Sequence, residues 1–188
     1  MKKLILGSQS PRRQYLLKEA GFEFEIRITD VHEIYPQDLA KPKIPEYLAK
    51  LKAEAYLGQL KTNEILLTCD TIVIHENEIF GKPKNENEAL EMIMKYSNNK
   101  HSVISGVCFT SPNIQHSFSV QTEVFFDKIT REAARYYIKN YQPFDKAGAY
   151  AIQEWLGYKY IKAVHGCYYN VMGLPIQAVS KFLDEYLK

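Results

Sequence analysis

The sequence predicts a mixed α/β fold, in which helices flank a twisted sheet of parallel and antiparallel strands. Two observations predict this class. A short apolar run at 4–6 is followed closely by Ser10 and Pro11, which are typical first residues of a helix, and this strand-helix order is that of a parallel crossover. Two long strand-like stretches, 101–110 and 115–126, are joined through a turn that contains proline and asparagine, which predicts an antiparallel hairpin.

The first half of the chain alternates helices and strands. The first helix ends at Gly21, because glycine readily adopts the left-handed conformation that follows many helices. Residues 22–28 alternate between apolar and polar side chains, as in a strand with one solvated face. A loop over 29–43 leads to a helix that begins at Pro45, and the apolar stretch 65–74 predicts a buried strand.

The second half adds three helices and one strand to the predicted hairpin. A helix over 87–96 has apolar residues at helical spacing, and Thr130 caps a helix that ends near Tyr141. Residues 158–164 have the character of a strand, and the last helix begins at Leu174-Pro175.

Composition excludes several classes of protein. The chain has 188 residues, of which 46% are hydrophobic and 24% charged, so we expect one globular domain over residues 1–188. A net charge of +2 argues against a stable nucleic-acid partner, which would favour a basic excess. The apolar run after Met1 stops at Gly7, which is too soon for a signal peptide, and no stretch is long and apolar enough to span a membrane. The three cysteines are widely spaced, so we expect neither disulfides nor a cysteine zinc site, and we expect a reducing, cytoplasmic location.

A basic helix start is the first candidate site. Arg12 and Arg13 lie in the first turn of the first helix, at the positive end of its dipole, where a bound anion would offset their charge. The Ser8 and Ser10 hydroxyls and the free backbone N–H groups would complete a phosphate cradle. The segment matches no Walker or dinucleotide-binding glycine pattern, and a serine-proline helix start with solvated arginines is an equally good interpretation.

Asp70 is the second candidate, since it interrupts the apolar stretch 65–74. A buried carboxylate is costly unless it is hydrogen-bonded, protonated or bound to a metal. Facing a cleft, it would activate water or hold a divalent ion, with Thr71 on the opposite face of the strand. Backbone capping by the aspartate is the alternative. Glu33 and Glu123 are candidate partners around the metal, with surface carboxylates as the alternative for both.

Three lysines form the third candidate set. Lys52 lies within a predicted helix, whereas Lys82 and Lys146 lie next to glycine or proline in tight loops where a backbone can approach a ligand. Solvated surface lysines are the alternative for each. The five histidines show no metal-ligand spacing and are interpreted as structural or exposed.

Taken in chain order, these motifs resemble those of the Maf family of nucleoside triphosphate pyrophosphatases. The resemblance begins with an S-x-S-P-R-R motif at 8–13 and covers essentially the whole chain. It continues through Glu33, Lys52-Ala53, Asp70-Thr71, Gly81-Lys82-Pro83, 101–106, 122–124, 146–153 and 170–175.

The resemblance implies hydrolysis of a nucleoside triphosphate between its α and β phosphates, with Mg²⁺ or Mn²⁺. It also implies an inosine triphosphatase-like fold with two lobes around a central cleft, and a homodimer. In the family, the aspartate that matches Asp70 acts as the base or as a metal-associated acid. The residues that match Arg12, Thr71 and Gln153 select the base, and this Arg, Thr, Gln set is similar to the branch that acts on dTTP and UTP.

The resemblance and the chemistry of the residues together assign a role to each candidate residue. The catalytic residues are Asp70, Lys82 and Glu33, and the metal ligands are Asp70 and Glu33. The substrate-binding residues are Ser8, Ser10, Arg12, Arg13, Lys52, Thr71, Lys146 and Gln153.

The sequence also departs from the family pattern in three places. Glu154 stands where a glycine is expected, Ser97-Asn98-Asn99-Lys100 replaces an L-S-G-R element, and Cys69 replaces a small residue. The alternative function is a nucleotide- or nucleic-acid-binding regulator of septum formation without catalysis. An intact Asp70 beside a full basic set favours catalysis over that alternative.

Overall fold

The computed structural model describes residues 2–187. Its strands are β1 Lys3–Leu6, β2 Phe24–Ile26, β3 Glu64–His75, β4 Glu78–Phe80, β5 Lys100–Thr110, β6 Gln115–Phe126 and β7 Ile161–His165. Its α-helices are α1 Pro11–Glu19, α2 Ile44–Glu54, α3 Glu86–Tyr96, α4 Arg131–Tyr141, α5 Trp155–Tyr160, α6 Tyr168–Val171 and α7 Ile176–Tyr186. None of these helices has the length and hydropathy needed to cross a membrane.

The strands form one mixed sheet. Its order is β2-β1-β3-β5-β6-β7, and β4 pairs with β3 outside this path. β1 is parallel to β2 and to β3, whereas β4 is antiparallel to β3 and β7 is antiparallel to β6. β5 and β6 are neighbours joined by the short loop 111–114, as a hairpin requires. The predicted mixed α/β class is confirmed.

The chain divides into two compact units. The first contains the chain up to Thr71, Ser105–Val120 and the chain from Gly173 onward, and the second contains Ile72–Ile104 and Gln121–Met172. Three of the four boundaries fall inside β3, β5 and β6, so these three strands contribute residues to both units. The central cleft that the family resemblance implies stays a prediction.

The core of the first unit lies between α2 and the sheet. Its buried side chains come from β1, α2, the turn after α2, β3 and β5, and include Ile5, Ala49, Ala53, Tyr56, Leu66 and Cys108. Gly106 in β5 allows a close approach of α2, because a Cβ there would lie 2.1 Å from the Glu46 nitrogen and 2.2 Å from the Pro45 carbonyl carbon. This contact holds α2, which carries Lys52, directly against the sheet.

The core of the second unit is an aromatic cluster. Tyr96 stacks on His101 with 4.4 Å between ring centroids and on Phe126 with 5.5 Å. The His101 Nε2 lies 2.9 Å from the Tyr150 hydroxyl, and burial lowers the pKa of His101 to about 3. His101 is therefore a neutral, structural histidine, as predicted.

Two predicted elements differ from the structure at their boundaries. The strand expected over 158–164 begins only at Ile161, because Trp155–Tyr160 forms α5. The β-branched residues that favour strands start at Ile161, which explains the later boundary. The strand expected over 22–28 is only Phe24–Ile26, and Ile26 is 45% exposed because β2 is the edge of the sheet.

Candidate functional site

Lys52 lies between two of the predicted carboxylates. Its Nζ is 2.6 Å from Asp70 Oδ1 and 3.0 Å from Glu33 Oε1. The Asp70 and Lys52 side chains are mostly buried, whereas Glu33 is 52% exposed. One ammonium therefore compensates two carboxylates, and the group keeps a negative charge that faces solvent at Glu33.

The local fold explains how Asp70 and Lys52 meet. Asp70 lies in β3, where its neighbour Cys69 is buried. The Thr68 hydroxyl donates to the Ala49 carbonyl at 2.7 Å, which ties β3 to α2. Lys52 follows Ala49 by three residues on α2, so its side chain lies on the same side of the helix. The contact of α2 with Gly106 fixes this arrangement further.

Asp70 and Glu33 fit the donor set for a divalent ion that also binds phosphate. Mg²⁺ is commonly held by one or two carboxylates while its other ligands are water and substrate phosphate oxygens. Within residues 2–187, no three His, Cys, Asp or Glu side chains are grouped as a metal site. The Glu123 carboxylate lies 2.6 Å from Lys100 Nζ, and its role as a further metal ligand stays a prediction.

Arg13 joins three segments of the first unit. Its Nε donates to the Gly173 carbonyl at 2.9 Å, and its Nη1 donates to the Cys69 carbonyl at 2.8 Å and to Ser8 Oγ at 3.1 Å. Its Nη2 donates to Thr71 Oγ1 at 3.3 Å. The guanidinium therefore holds the loop after β1, β3 and the Gly173 turn together, and its predicted contact with phosphate stays a prediction.

The basic helix start has the predicted position but a different local geometry. The Ser10 backbone N–H donates to Ser8 Oγ at 3.3 Å, and the Ser10 side chain makes no capping hydrogen bond among the described residues. The first turn of α1 carries no acidic residue and holds Arg12, which is partly exposed. No acidic side chain within this first turn offsets the positive end of the helix dipole, as the sequence predicts.

Thr71 also belongs to this hydroxyl network. Its Oγ1 is 2.8 Å from the Ser105 hydroxyl and 3.3 Å from the Gly173 carbonyl. Ser105 is fully buried. Sequence reasoning gave no role to Ser105 or Gly173, although both lie in stretches that match the family pattern.

The loops that carry Lys82 and Lys146 meet in the second unit. The Gly148 N–H donates to the Gly81 carbonyl at 3.0 Å, next to Lys82, which is exposed. Gly148 has φ +76°, and a Cβ there would lie 2.8 Å from the Tyr96 hydroxyl, so glycine is required. The structure therefore brings these two predicted loops together.

Lys146 is buried between two acidic side chains. Its Nζ is 2.7 Å from Asp145 Oδ1 and 3.5 Å from Glu154 Oε1. The adjacent Gln153 is partly buried, and its Oε1 atom is buried with no hydrogen-bond partner among the described residues. An orphaned amide oxygen of this kind is unusual unless a ligand or water completes it.

Comparison with known proteins shows to which family the chain belongs. The model of the Maf-like protein family matches residues 3–186. The chain belongs to the Maf family. A protein of Flavobacterium johnsoniae named dTTP/UTP pyrophosphatase is 50% identical over 96% of this chain and 93% of its own length. Proteins of the same name from Bacteroides thetaiotaomicron and Flavobacterium psychrophilum are 46% and 48% identical, over 93% and 96% of this chain and 91% and 93% of their own lengths.

Likeness among solved structures is weaker. The Ham1 protein of Staphylococcus aureus is 16% identical with a TM-score of 0.48, over 66% of this chain and 72% of that chain. The fold class of this Maf-family chain rests on its own sheet order and strand directions.

The departures of this chain from the Maf pattern are accommodated in different ways. Cys69 is buried, and burial raises the pKa of its thiol, so it acts as a small apolar residue. The Ser97 hydroxyl donates to the Ile129 carbonyl at 3.1 Å and accepts from the Ile129 N–H at 2.8 Å, which ties the replaced element to the start of α4. Glu154, in contrast, adds a charge beside Lys146.

Proposed function

We propose that this chain hydrolyses dTTP and UTP to the nucleoside monophosphate and pyrophosphate. Water supplies the oxygen that bonds to the α-phosphorus, the bond from that phosphorus to the bridging oxygen breaks, and pyrophosphate leaves. Family membership and relatives named dTTP/UTP pyrophosphatase support this reaction. The observation that carries the proposal is the Asp70, Lys52 and Glu33 group, in which a mostly buried carboxylate and a mostly buried ammonium lie beside a second, solvent-exposed carboxylate.

Asp70 is the proposed catalytic base. Its carboxylate would accept a proton from the attacking water, while Lys52 holds the carboxylate in place through the 2.6 Å contact. Lys52 would also neutralise charge that develops on the phosphate oxygens. Glu33 also pairs with the Lys52 ammonium and is partly exposed to solvent, so it would be the second carboxylate, at the solvent-exposed edge of the group.

A divalent cation is part of the proposal. Asp70 and Glu33 would hold Mg²⁺ or Mn²⁺, since two carboxylates and substrate oxygens match the preference of these hard ions. When bound, the ion would supply electrostatic stabilisation to the phosphates. Lys52 would then exchange its carboxylate contacts in part for phosphate contacts.

Further residues are assigned to the substrate on the family pattern. Ser8, Ser10, Arg12, Arg13, Lys82 and Lys146 would bind the phosphates, and the Arg12, Thr71 and Gln153 set would select the base. The orphaned Gln153 Oε1 supports a ligand contact, because an amide can donate and accept hydrogen bonds along the polar edge of uracil or thymine.

The proposal also includes the state of the molecule. We place it in the cytoplasm, because all three cysteines are free thiols, as in a reducing compartment. A homodimer is proposed from the family resemblance, and sedimentation velocity tests it. A single domain over 1–188 is proposed because the two compact units share β3, β5 and β6.

Pyrophosphate release by the purified protein tests the reaction. The substrates are UTP, dTTP, CTP, ATP and GTP, each with Mg²⁺ or Mn²⁺ and with EDTA. Asp70→Asn is expected to lower kcat about 10²- to 10⁴-fold, because a proton acceptor is lost with little change in shape. EDTA is expected to stop turnover, and added Mg²⁺ to restore it.

Asp38→Asn is the matched control, since it makes the same change at an exposed loop position of the first unit. It should retain wild-type rates. Turnover of purine triphosphates alone would retain the reaction and contradict the assignment of Gln153. A folded protein that releases no pyrophosphate from any triphosphate would overturn the proposal in favour of a binding regulator.

A further inference from the structure

Glu154 lies at the centre of a small buried network in the second unit. Its carboxylate accepts a hydrogen bond from the Tyr137 hydroxyl and lies 3.5 Å from Lys146 Nζ. Tyr137 is fully buried on α4, and the Glu154 side chain is 23% exposed. A single carboxylate therefore connects α4 with the loop that carries Lys146.

The same network holds the segment before α5. The Ala151 N–H donates to the Tyr137 hydroxyl at 3.1 Å, and the Glu154 N–H donates to the Ala151 carbonyl at 3.2 Å. Gly157 lets α5 lie against this segment, because a Cβ there would be 2.0 Å from the Ile152 carbonyl oxygen. The Glu154 backbone is thus fixed, and its carboxylate has little freedom to leave Lys146.

Tyr137 is suited to anchor the carboxylate. Burial, together with the hydrogen bond to Glu154, raises the pKa of Tyr137 far above its ordinary value. The phenol therefore stays protonated, and a hydrogen-bond donor, at neutral pH. Its hydrogen bond orients one side of the carboxylate and leaves the other for Lys146.

Lys146 has two acidic partners of different kinds. Asp145 is adjacent in sequence and 61% exposed, so its contact with Lys146 is local and solvated. Glu154 is more buried, and Tyr137 holds its carboxylate, so it offers the long lysine side chain a partner of fixed position. Without Glu154, the ammonium would sample more rotamers, and binding a phosphate would require ordering it.

We infer that Glu154 is a positioning residue for nucleotide binding, which orients the Lys146 ammonium through an ion pair anchored by Tyr137. This inference rests on the proposed function, in which Lys146 binds the triphosphate. It concerns a residue where this chain departs from the glycine of the family pattern, so the family pattern gives it no role.

A double-mutant cycle on steady-state kinetics with UTP tests the inference. Glu154→Gln keeps an acceptor for Tyr137 but removes the charge, and it is expected to raise KM about 5- to 10-fold with kcat changed less than about twofold. In a Lys146→Met background, the same substitution is expected to change KM by less than about twofold, because Glu154 acts through Lys146.

Glu91→Gln is the control, because Glu91 also forms a 3.5 Å ion pair, with Arg131, but both side chains are exposed. Its KM should equal that of the wild type. Glu154→Gly repeats the measurement with the residue of the family pattern, so a poorly folded Gln variant does not end the test.

Each outcome bears on one claim. If Lys146→Met alone leaves KM and kcat unchanged, the proposed substrate contact of Lys146 fails, and the inference fails with it. If Lys146→Met impairs the enzyme but both Glu154 variants keep the wild-type KM, only the inference is overturned. A lower KM in the Glu154 variants, or an equal effect in the Lys146→Met background, also overturns it.

Discussion

The guanidinium of Arg13 shows why a charge-conserving change can still disrupt this molecule. It donates to two backbone carbonyls and two hydroxyls in a fixed fork, and these acceptors come from segments far apart in the chain. A lysine has the same charge but a single nitrogen, which cannot reach separate acceptors in this geometry. The role of Arg13 therefore depends on shape as much as on charge.

Arg13→Lys is expected to lower the free energy of unfolding by about 2–3 kcal/mol, because two partly buried carbonyls lose their donors. Urea unfolding followed by circular dichroism measures this loss. Arg131→Lys is the matched control, since Arg131 is 56% exposed and forms one ion pair. An equal, small effect of both substitutions would contradict the bracing role of Arg13.

Only part of the environment of Arg13 can be predicted from the sequence. Two arginines in the first turn of a helix predict a bound anion that offsets their charge, and this inference needs only residues that are adjacent in sequence. The Gly173 carbonyl that Arg13 binds lies 160 residues away in sequence, and the Cys69 carbonyl lies 56 residues away. No local pattern indicates such partners, because backbone carbonyls are present at every position. The Ser105 hydroxyl that meets Thr71 is likewise distant, 34 residues away in sequence, so no local pattern indicates this contact.

Among the elements, α2 is closely constrained in its position by backbone contact. Its first turn crosses β5 at Gly106, where a Cβ would overlap backbone atoms of Pro45 and Glu46. Backbone atoms cannot rotate away as a side chain can, so any larger residue must displace the helix. The helix also carries Lys52, so its position determines the contact with Asp70.

Gly106→Ala is expected to destabilise the fold by about 1–3 kcal/mol and to lower kcat/KM further than the stability loss explains. Chemical denaturation and UTP turnover measure the two effects. Gly81→Ala is the stability control, because a Cβ at Gly81 meets nothing within 4 Å. If Gly106→Ala is as stable and active as the wild type, α2 does not depend on this contact.

Element prediction succeeded where the signal was local and strong. Thr130 caps α4 by accepting from the Ala133 N–H at 3.2 Å, and Pro11 begins α1, as the sequence predicts. It failed at Trp155–Tyr160, where α5 forms on a short stretch of aromatic and small residues. Gly157 there lies against the Ile152 carbonyl, where a Cβ would be 2.0 Å from the oxygen, and hydrophobic periodicity does not indicate such a close approach of two backbone segments.

At the scale of the whole molecule, stability in acid depends on a buried ion pair in the first unit. Glu64 is 3% exposed and accepts from Arg27 at 3.0 and 3.1 Å and from the Lys61 N–H at 3.0 Å. The hydrogen bond from Arg27 contributes most to lowering the pKa of Glu64 from 4.5 to about 2. β3 begins at Glu64 and contributes residues to both units. Protonation of the Glu64 carboxylate would therefore weaken the first residues of a strand that both units contain.

The sign of the pH effect follows from this shift. The folded state holds Glu64 ionised to lower pH than the unfolded state does, so its stabilising contribution is complete above pH 4.5 and is lost as pH falls toward 2. The depressed pKa of His101 acts in the same direction over pH 6.5 to 3, because the unfolded state takes up that proton first.

We expect the urea concentration at the unfolding midpoint to fall as the pH is lowered. The Glu64→Gln variant should lack the portion of this fall that occurs below pH 4.5, because it has no carboxylate to protonate there. Glu78→Gln, at an ion pair where Glu78 is 59% exposed, should keep the wild-type slope. If the urea midpoint falls with pH equally in the wild type and in Glu64→Gln, this ion pair does not control acid stability. Two separate unfolding steps would contradict a single domain.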